Sequence, residues 1–501
     1  MSDSQERFEA LQRKLVPLWK TLSALNEEEQ TIVVLPSINV DAPFLKGPLL
    51  QAYEERYLFL LLLLRQPKAH LVYVTSIDIE PDVIDYYLGL LPGVVPAHAR
   101  RRLHLVPAGD DSARPLSEKI LQQPAVIERL RSLVIDPDRA HLVPFNSTAA
   151  ERDVALALGI PMYGADPKFL PLGTKSGARR LFREEGVPCP EGVEDVHSPD
   201  EVVEAVQRIR RRRPDAQEVL VKLNEGVSGM GNARVSLADL PPAGSAAAPT
   251  AIAERLRTME PESSMVTLED FLEGLRTTGG VVEERVTGRE VRSPSVQMRA
   301  TPLGELEVLS THDQVLGGRS GQEYFGARFP ADPEYAGPMT MEAERIGRRL
   351  VAEGVLGRFA MDFVVVRNDS GGWDTYAIEL NLRKGGTTHP FLTLQFLTDG
   401  SYDPNTATFR SPSGGAKHFI ASDHVESEAY RGLTSERLFD IALCHGLHFD
   451  QARQTGVVFH MLAALTPLGR FGLTAVADSA AAAQELYDRT VGVLEREASG
   501  R

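Results

Sequence analysis

EVLVKLNEGVSGMGNARVSL, from Glu218 to Leu237, is the stretch of this sequence that says most about the fold. An apolar run carries Lys222 into a glycine-rich loop, Gly226 to Gly231, and a second strand-like run follows. Glycines let backbone N–H groups approach an anion closely. No helix follows the loop, so it is neither a Rossmann turn nor a Walker A loop. Two interpretations remain: a hairpin lid that closes over nucleotide phosphates, or a flexible hairpin without a ligand.

A second candidate hairpin, formed by residues 357–366 and 376–383, carries carboxylates. Strand periodicity predicts one polar face on its second strand, made of Ala377, Glu379, Asn381 and Arg383. If the hairpin is symmetric about residues 370 and 371, Asp362 lies opposite Glu379. Opposed carboxylates repel unless a cation lies between them. Oxygen ligands of this kind suit Mg²⁺, or Mn²⁺, shared with substrate phosphates. The alternative is a merely solvated polar face.

Between the two hairpins lies GVVEERVTGRE, residues 280–290, which has the pattern of a strand followed by a turn. Carboxylates at this spacing could hold an adenine amino group and ribose hydroxyls. Taken in isolation, charged residues around a solvated turn are the simpler interpretation.

The chain as a whole divides into three sections. Short apolar runs alternate with helix-like segments over residues 31–163, which predicts βαβ units and a parallel sheet. The middle section mixes a helix with paired strands and contains a Pro/Gly/Ala-rich stretch at residues 241–250, expected to be a loop. After residue 411 a helical run, two strands and a final helix are expected. We therefore place the domains at 1–170, 171–410 and 411–501.

Composition excludes several classes of protein. The 501 residues contain 54 Lys+Arg and 69 Asp+Glu, so the formal net charge is −15. Such a field repels phosphate-rich polymers, and we predict neither a nucleic-acid partner nor a membrane partner. The apolar run at residues 57–64 is far too short for a bilayer and is expected to be a buried helix. Two cysteines and a polar N-terminal stretch predict a cytoplasmic location.

In order and spacing, these segments resemble the ATP-grasp superfamily. The resembling stretches are Gly173 to Lys175 with the helix after it, Val221 and Lys222 with the glycine loop, Glu283 to Glu290, and Asp362 with Glu379 to Arg383. The resemblance implies an α/β pre-ATP-grasp domain, a two-lobed ATP-grasp domain and a small α+β C-terminal domain. Further stretches, at 167–180, 310–316, 326–330 and 456–476, resemble the peptide ligases of pheganomycin-type biosynthesis. Those enzymes join a small N-modified amino acid to the amine of a peptide.

The resemblance also implies a role for each matching residue. The expected ATP contacts are Lys175, Lys222, Gly226, Ser228, Gly229, Met230, Gly231, Glu283, Glu284, Val286 and Glu290. The lysines would contact phosphates, Glu283 or Glu284 with Val286 would bind adenine, and Glu290 would bind ribose. Asp362, Glu379 and Asn381 would hold two Mg²⁺ ions. Lys222 and Arg383 are the predicted catalytic residues, with Arg383 neutralising the transferred phosphoryl group or the tetrahedral intermediate.

The reaction so implied is ATP-dependent carboxylate–amine ligation through an acyl phosphate, and a homodimer is a possible assembly. We predict a substrate pocket from position along the chain, made of Arg299, His312, Asp313, Arg383, Gly386 and Thr387. His312 and His389 are candidates for deprotonating the amine, although a structural histidine is the simpler interpretation of each. The alternative function is an ATP-grasp kinase or carboxylase that forms no amide.

Overall fold

The computed structural model describes residues 3–23, 29–39, 46–226, 231–263, 265–318, 321 and 323–500. Its strands form a parallel sheet of four strands, two larger antiparallel sheets and a small hairpin. This mixture of parallel and antiparallel sheets confirms the predicted combination of α/β and α+β structure.

The leading section forms the parallel sheet. Its elements are α1 (Asp3–Gln12), α2 (Leu15–Ser23), β1 (Gln30–Leu35), α3 (Pro48–Glu55), a 3₁₀ helix (Leu58–Arg65), β2 (Ala69–Thr75), α4 (Pro81–Gly89), α5 (Pro96–Arg100), β3 (Leu103–Pro107), α6 (Leu116–Leu121), α7 (Pro124–Leu133), a 3₁₀ turn (Pro137–Arg139), β4 (Ala140–Pro144) and α8 (Ala149–Leu158). The strand order is β3-β2-β1-β4 with every pair parallel, as the alternation of strands and helices predicts. The apolar run is buried as predicted, in the 3₁₀ helix.

The next section forms the first antiparallel sheet. It contains a 3₁₀ helix (Pro167–Gly173), α9 (Lys175–Glu184), β5 (Gly192–Val196), α10 (Pro199–Arg212), β6 (Glu218–Leu223), β7 (Asn232–Ser236), α11 (Ala248–Leu256), β8 (Glu260–Pro261), α12 (Leu268–Thr278) and β9 (Gly280–Glu284). The order is β5-β9-β6-β7-β8. Strands β6 and β7 pair as an antiparallel hairpin around the glycine loop, as predicted. Helix α11 begins within the stretch expected to be a loop.

The remaining elements build a nine-stranded sheet, the separate hairpin β16–β17 and the helices around them. They are β10 (Val291–Arg292), β11 (Pro294–Ala300), β12 (Leu306–Gly317), β13 (Glu323–Phe329), α13 (Pro333–Glu353), β14 (Gly357–Arg367), β15 (Trp373–Asn381), α14 (Thr388–Thr398), β16 (Ser401–Asp403), β17 (Thr408–Arg410), β18 (His418–Glu426), a 3₁₀ turn (Glu428–Tyr430), α15 (Ser435–Cys444), β19 (Gly456–His460), a 3₁₀ turn (Leu462–Ala464), α16 (Leu465–Leu468), β20 (Arg470–Ala477) and α17 (Ala480–Ala498).

The three tail strands continue this sheet. Its order is β10-β14-β11-β12-β13-β18-β20-β19, with β15 on the other edge of β14. The tail also shares one apolar core with the leading section, since the 3₁₀ helix of residues 58–65, α14 and strand β19 bury side chains in the same cluster. The tail is therefore packed against both earlier sections, and the domain limits at 170 and 410 stay predictions.

None of the helices formed by the described residues is long and apolar enough to cross a membrane. Both cysteines, Cys189 and Cys444, are free thiols.

A buried carboxyl group at the contact between α3 and the tail makes stability depend on pH. Glu55 is 2% exposed, and its Oε2 accepts a hydrogen bond of 2.8 Å from the Ala463 backbone N–H. Burial raises the pKa of Glu55 from its ordinary 4.5 to about 8. The stabilising contribution of the retained proton is therefore full below pH 4.5 and is lost as pH rises through about 8.

We expect Glu55→Gln to remove this pH dependence, because glutamine keeps the acceptor oxygen and does not titrate. Relative to the wild type, the variant should gain a few kcal/mol of unfolding free energy as pH rises from about 5 to about 8. Urea unfolding at a series of pH values measures the difference. If the unfolding free energies of the two proteins change with pH in parallel, Glu55 is not the source of the pH dependence.

Candidate active site

A cleft of about 510 Å³ opens between the two antiparallel sheets. Its walls come from β6 and β9 on one side and from β11, β12, β14 and β15 on the other, with residues 383–387 at one end. Side chains of the leading section and of the tail complete the wall. Every section of the chain therefore contributes to the cleft.

Hairpin β14–β15 places two carboxylates in direct opposition in this cleft. Asp362 pairs with Glu379 in the register, as the sequence predicts. The register shifts by one residue beyond this pair, and the shift changes which residues share a face. Ala377 packs in the apolar core instead of joining the polar face, and Ile378 lines the cleft. The predicted placement of Ala377 was wrong because of this bulge.

Both carboxylates have specific polar partners. Gln314 Nε2 donates to Asp362 Oδ1 at 2.9 Å, and Asn381 Nδ2 donates to Asp362 Oδ2 at 3.1 Å. Lys175, at the first position of α9, brings its Nζ within 2.5 Å of Glu379 Oε1. Asp362, Glu379 and Asn381 all line the cleft, so the three predicted metal ligands are brought together.

The two carboxyl groups differ in pKa because their neighbours differ. Burial, and then the charge of Glu379, raise the pKa of Asp362 to about 6. Burial also opposes ionisation of Glu379, but the charges of Lys175 and Arg383 outweigh it and hold the pKa of Glu379 below its ordinary value. The pair therefore concentrates negative charge in a site that a cation would stabilise.

On the opposite wall, Lys222 and Arg179 share one buried carboxylate. Lys222 Nζ forms an ion pair with Glu283 Oε1, and Arg179 Nη1 contacts Glu283 Oε2 at 2.8 Å. Although burial opposes ionisation of Glu283, these two cations hold its pKa below the ordinary value. Lys222 and Glu283 both line the cleft. Both oxygens of Glu283 are therefore paired with cations.

The adenine and ribose residues predicted from sequence are only partly brought to the cleft. Glu284 and Val286 line it. Glu290 does not line it, because its carboxylate pairs with Arg367 and Arg292 at 2.8 and 2.7 Å outside the cleft. The expected ribose contact of Glu290 is therefore not supported by this structure.

The glycine-rich loop is described only at its two ends. Gly226 and Gly231 approach so closely that a Cβ on Gly226 would lie 3.0 Å from the Gly231 Cα, so side chains fit poorly at both positions. Neither glycine lines the cleft. Ser228, Gly229 and Met230, the other predicted phosphate contacts, lie outside the described residues.

Of the six residues predicted for the substrate pocket, Arg383, Gly386 and Thr387 line the cleft. Arg299 does not. It lies on β11 four residues beyond Ser295, which is about 13 Å along the strand. There it pairs with Glu307 and lines a separate cavity of about 140 Å³. Position along the chain did not predict this, because residues near each other in sequence can lie too far apart along a strand to share a pocket.

His312 and Asp313 are also outside the cleft. His312 is fully buried against Phe329 and Phe419, and burial lowers its pKa to about 3. Asp313 accepts a hydrogen bond of 2.6 Å from the Tyr335 hydroxyl. Strand alternation explains the error for Asp313, since its neighbour Gln314 occupies the cleft face of β12. Neither side chain therefore lines this cleft.

Sequence reasoning missed several residues of the cleft wall. The missed set includes Tyr53, Arg56 and Phe145 from the leading section, Ser295, Gln314 and Tyr324 from the strands, and Asp423 from the tail. Arg56 and Arg383 each lie 5.7 Å from the Phe145 ring. Arg56 also pairs with Asp423 at 2.7 Å. No local motif marks Arg56 or Asp423 in the sequence.

Comparison with known proteins gives two family matches. A family model described as IQCH-like, ATP-grasp matches residues 171–255 and 245–405, and one described as PGM1 C-terminal domain matches residues 438–490. The chain is 31% identical over 457 residues to an L-propargylglycine–L-glutamate ligase of Streptantibioticus cattleyicolor, covering 89% of this chain and 90% of that protein. It is 23% identical to IQ motif-containing protein H of Danio rerio, covering 81% of this chain and only 42% of that relative.

Solved structures share the fold at low sequence identity. A biotin carboxylase from Campylobacter jejuni, solved with β-γ-ATP, has a TM-score of 0.55 at 15% identity and covers 94% of this chain and 95% of its own. An N5-carboxyaminoimidazole ribonucleotide synthetase in an ADP complex has a TM-score of 0.52 at 10% identity, with 94% and 98% covered. At such identities these likenesses show the fold alone.

Proposed function

Because this chain belongs to the ATP-grasp superfamily and is an ATP-dependent carboxylate–amine ligase, we propose that it joins a small amino acid to an amine. The acid substrate would be a small, N-modified or otherwise non-standard amino acid. The amine would come from a second amino acid or from a peptide. The ligase of Streptantibioticus cattleyicolor is named for two amino acids, L-propargylglycine and L-glutamate, which supports this substrate class.

One observation carries the proposal most directly: opposed Asp362 and Glu379 lie in the same cleft as Arg383. A ligase must develop negative charge twice on oxygen, first on the transferred phosphoryl group and then on the tetrahedral intermediate. A fixed guanidinium stabilises such charge without reorganising. Burial lowers the pKa of Arg383, yet the charges of Glu379 and Asp362 favour its protonated form.

The donor set of the hairpin fits a divalent cation of the Mg²⁺ class. Asp362 and Glu379 offer carboxylate oxygens, and Asn381 uses its amide nitrogen for Asp362, which leaves its amide oxygen as a further ligand. When bound there, Mg²⁺ would neutralise nucleotide phosphates and act as a Lewis acid. In its absence Lys175 balances the charge of Glu379.

The opposite wall supplies the proposed nucleotide contacts. Lys222, held by Glu283, presents a fixed positive charge for phosphate, and the backbone around Val286 offers hydrogen bonds to an adenine edge. Leu220 and Ile378 give the cleft apolar surface for a flat base. A closed cleft would also exclude water from an acyl phosphate, which hydrolyses readily.

In the proposed sequence of steps, the substrate carboxylate attacks the terminal phosphorus of ATP and forms an acyl phosphate plus ADP. The amine then attacks the acyl carbon and displaces phosphate. Arg383 would stabilise the negative charge that both steps develop, and the cleft would hold acid and amine in contact. The described lining contains no histidine, so the structure does not support His312 or His389 as a general base in contact with the amine.

Mass spectrometry of the product tests the function. The protein is incubated with ATP, Mg²⁺ and pairs of amino acids, beginning with L-propargylglycine and L-glutamate and extending to N-modified acids and short peptides. Release of ADP together with a product equal in mass to the acid plus the amine minus water is expected. A stable phosphorylated product would indicate a kinase, and a carboxylated product would indicate a carboxylase.

For the substrate end of the cleft, we expect Arg56→Met to raise the KM of the acid or amine by about tenfold. Arg56 lines the cleft, and its guanidinium, held by Asp423 at 2.7 Å, offers a positive charge to an anionic group of the substrate. Arg299→Met is the matched control and should leave both KM values unchanged, because Arg299 lies in the other cavity. Initial rates with the identified substrates measure the effect. A larger change for Arg299→Met than for Arg56→Met would exclude this pocket.

A further inference from the structure

Two histidines and one aspartate converge on a single point behind the cleft. His389 lies in the first turn of α14, Asp423 on β18 and His460 at the end of β19, and all three are at most 4% exposed. His389 Nε2 lies 3.0 Å from His460 Nε2 and 3.2 Å from Asp423 Oδ1. His460 Nε2 lies 2.9 Å from the same oxygen. The three atoms form a nearly equilateral triangle.

Hydrogen bonds alone satisfy this triangle poorly. Each imidazole Nε2 carries at most one proton and can direct it along only one edge, and an ionised carboxylate carries none. At most two of the three edges can therefore hold a proton. At least one pair of electronegative atoms faces each other at about 3 Å without a hydrogen between them.

We propose that His389, Asp423 and His460 bind a divalent transition-metal ion, of which Zn²⁺ fits best. Zinc lies about 2.0–2.2 Å from nitrogen and oxygen ligands. An ion at that distance from three atoms so spaced sits about 1 Å from their plane and leaves a fourth tetrahedral position open. All three atoms then contact one cation, which removes the unsatisfied edge.

A further hydrogen bond holds the carboxylate of the triangle from outside. Only Asp423 Oδ1 belongs to the triangle, and Asp423 Oδ2 accepts from Arg56 Nη1 at 2.7 Å. A second hydrogen bond of this kind orients a monodentate carboxylate ligand.

This site differs in chemistry from the carboxylate pair of the cleft. Two nitrogens and one oxygen favour Zn²⁺ over Mg²⁺, whereas Asp362, Glu379 and Asn381 offer oxygen alone. The proposed ion also has a positioning role, because it fixes Asp423 and through it Arg56 in the cleft wall. It would join α14 to the tail strands at the point where both meet the leading section.

The test is the metal content of the full chain purified without chelators. We expect about one zinc ion per chain after desalting, with at least about a tenfold loss in His389→Ala and His460→Gln. Cobalt substituted for zinc should give the intense visible absorption of a tetrahedral site with imidazole ligands. If His389→Ala does not fold, the zinc content of His460→Gln tests the site instead. Zinc uptake by the wild type after chelator treatment provides a second measurement.

Two controls separate this site from the rest of the protein. His424 lies one residue beyond Asp423 on β18, and the variant His424→Ala should keep the zinc. Glu379→Gln should also keep it while losing ATP turnover, so failure of the proposed ligase activity leaves the metal result unaffected. The proposal is overturned if the wild type holds no stoichiometric metal after reconstitution. The proposal is also overturned if both His389→Ala and His460→Gln keep the zinc. Loss of zinc from Glu379→Gln would overturn it as well.

Discussion

Glu379→Gln is expected to lower ATP-dependent turnover by about 10²- to 10³-fold. Glu379 lies opposite Asp362 and 2.5 Å from Lys175, in the wall of the cleft. The substitution keeps the size of the side chain but removes the charge that would attract a divalent cation. It also leaves Lys175 without its carboxylate. The rate of ADP release with the identified acid and amine measures the loss.

Asp374→Asn is the matched control for this substitution. Asp374 lies on the same strand, β15, but it is exposed and contacts Asn368 at the turn instead of the cleft. We expect its turnover to equal that of the wild type. Thermal unfolding should show both variants folded, since the Glu379 side chain is 26% exposed. Undiminished turnover in Glu379→Gln would show that the hairpin does not hold the metal.

Arg383→Ala is expected to lower kcat by about 10²- to 10³-fold, with a smaller change in the KM of ATP. Its guanidinium lines the cleft and donates to the Lys384 carbonyl at 3.2 Å. If the guanidinium stabilises charge that develops during the two chemical steps, its removal destabilises the transition states more than it destabilises the bound substrates. Single-turnover measurements of ADP formation separate this effect from product release.

Chemical rescue distinguishes catalysis by Arg383 from a structural role. Added guanidinium or methylguanidinium should restore part of the turnover of Arg383→Ala, because the removed side chain leaves space beside Phe145. The same additive should leave Glu379→Gln inactive. A variant that binds ATP normally, turns over normally and is insensitive to guanidinium would show that Arg383 takes no part in the reaction.

The strand pairing in the proposed metal hairpin could be predicted from sequence because it is local. A strand has a period of two, so a located turn sets the partner of each residue. That reasoning gave the Asp362–Glu379 pair correctly. It failed two residues away at Ala377, because a bulge breaks the period and has no clear signal in a single sequence.

The substrate end of the cleft could not be predicted in the same way. Arg299, His312 and Asp313 are near the metal strands in sequence, yet strand length, burial and alternation direct them elsewhere. Arg56 and Asp423 are 367 residues apart and meet in the cleft wall at 2.7 Å. A pair at such separation depends on how the sections pack, which local patterns do not encode.

The sequence by itself determined the kind of chemistry in this protein. Glycines, lysines and carboxylates within single hairpins left a nucleotide site open beside simpler alternatives, and the resemblance of these segments to the ATP-grasp superfamily favoured that site. Only the tertiary structure decided which distant residues complete the wall of that cleft and which lie behind it. Tail strands added to the nine-stranded sheet bring Asp423 and His460 to His389, and the leading section adds Arg56. The physical reason is that burial of a shared apolar core joins the tail to the leading section, whatever their distance along the chain.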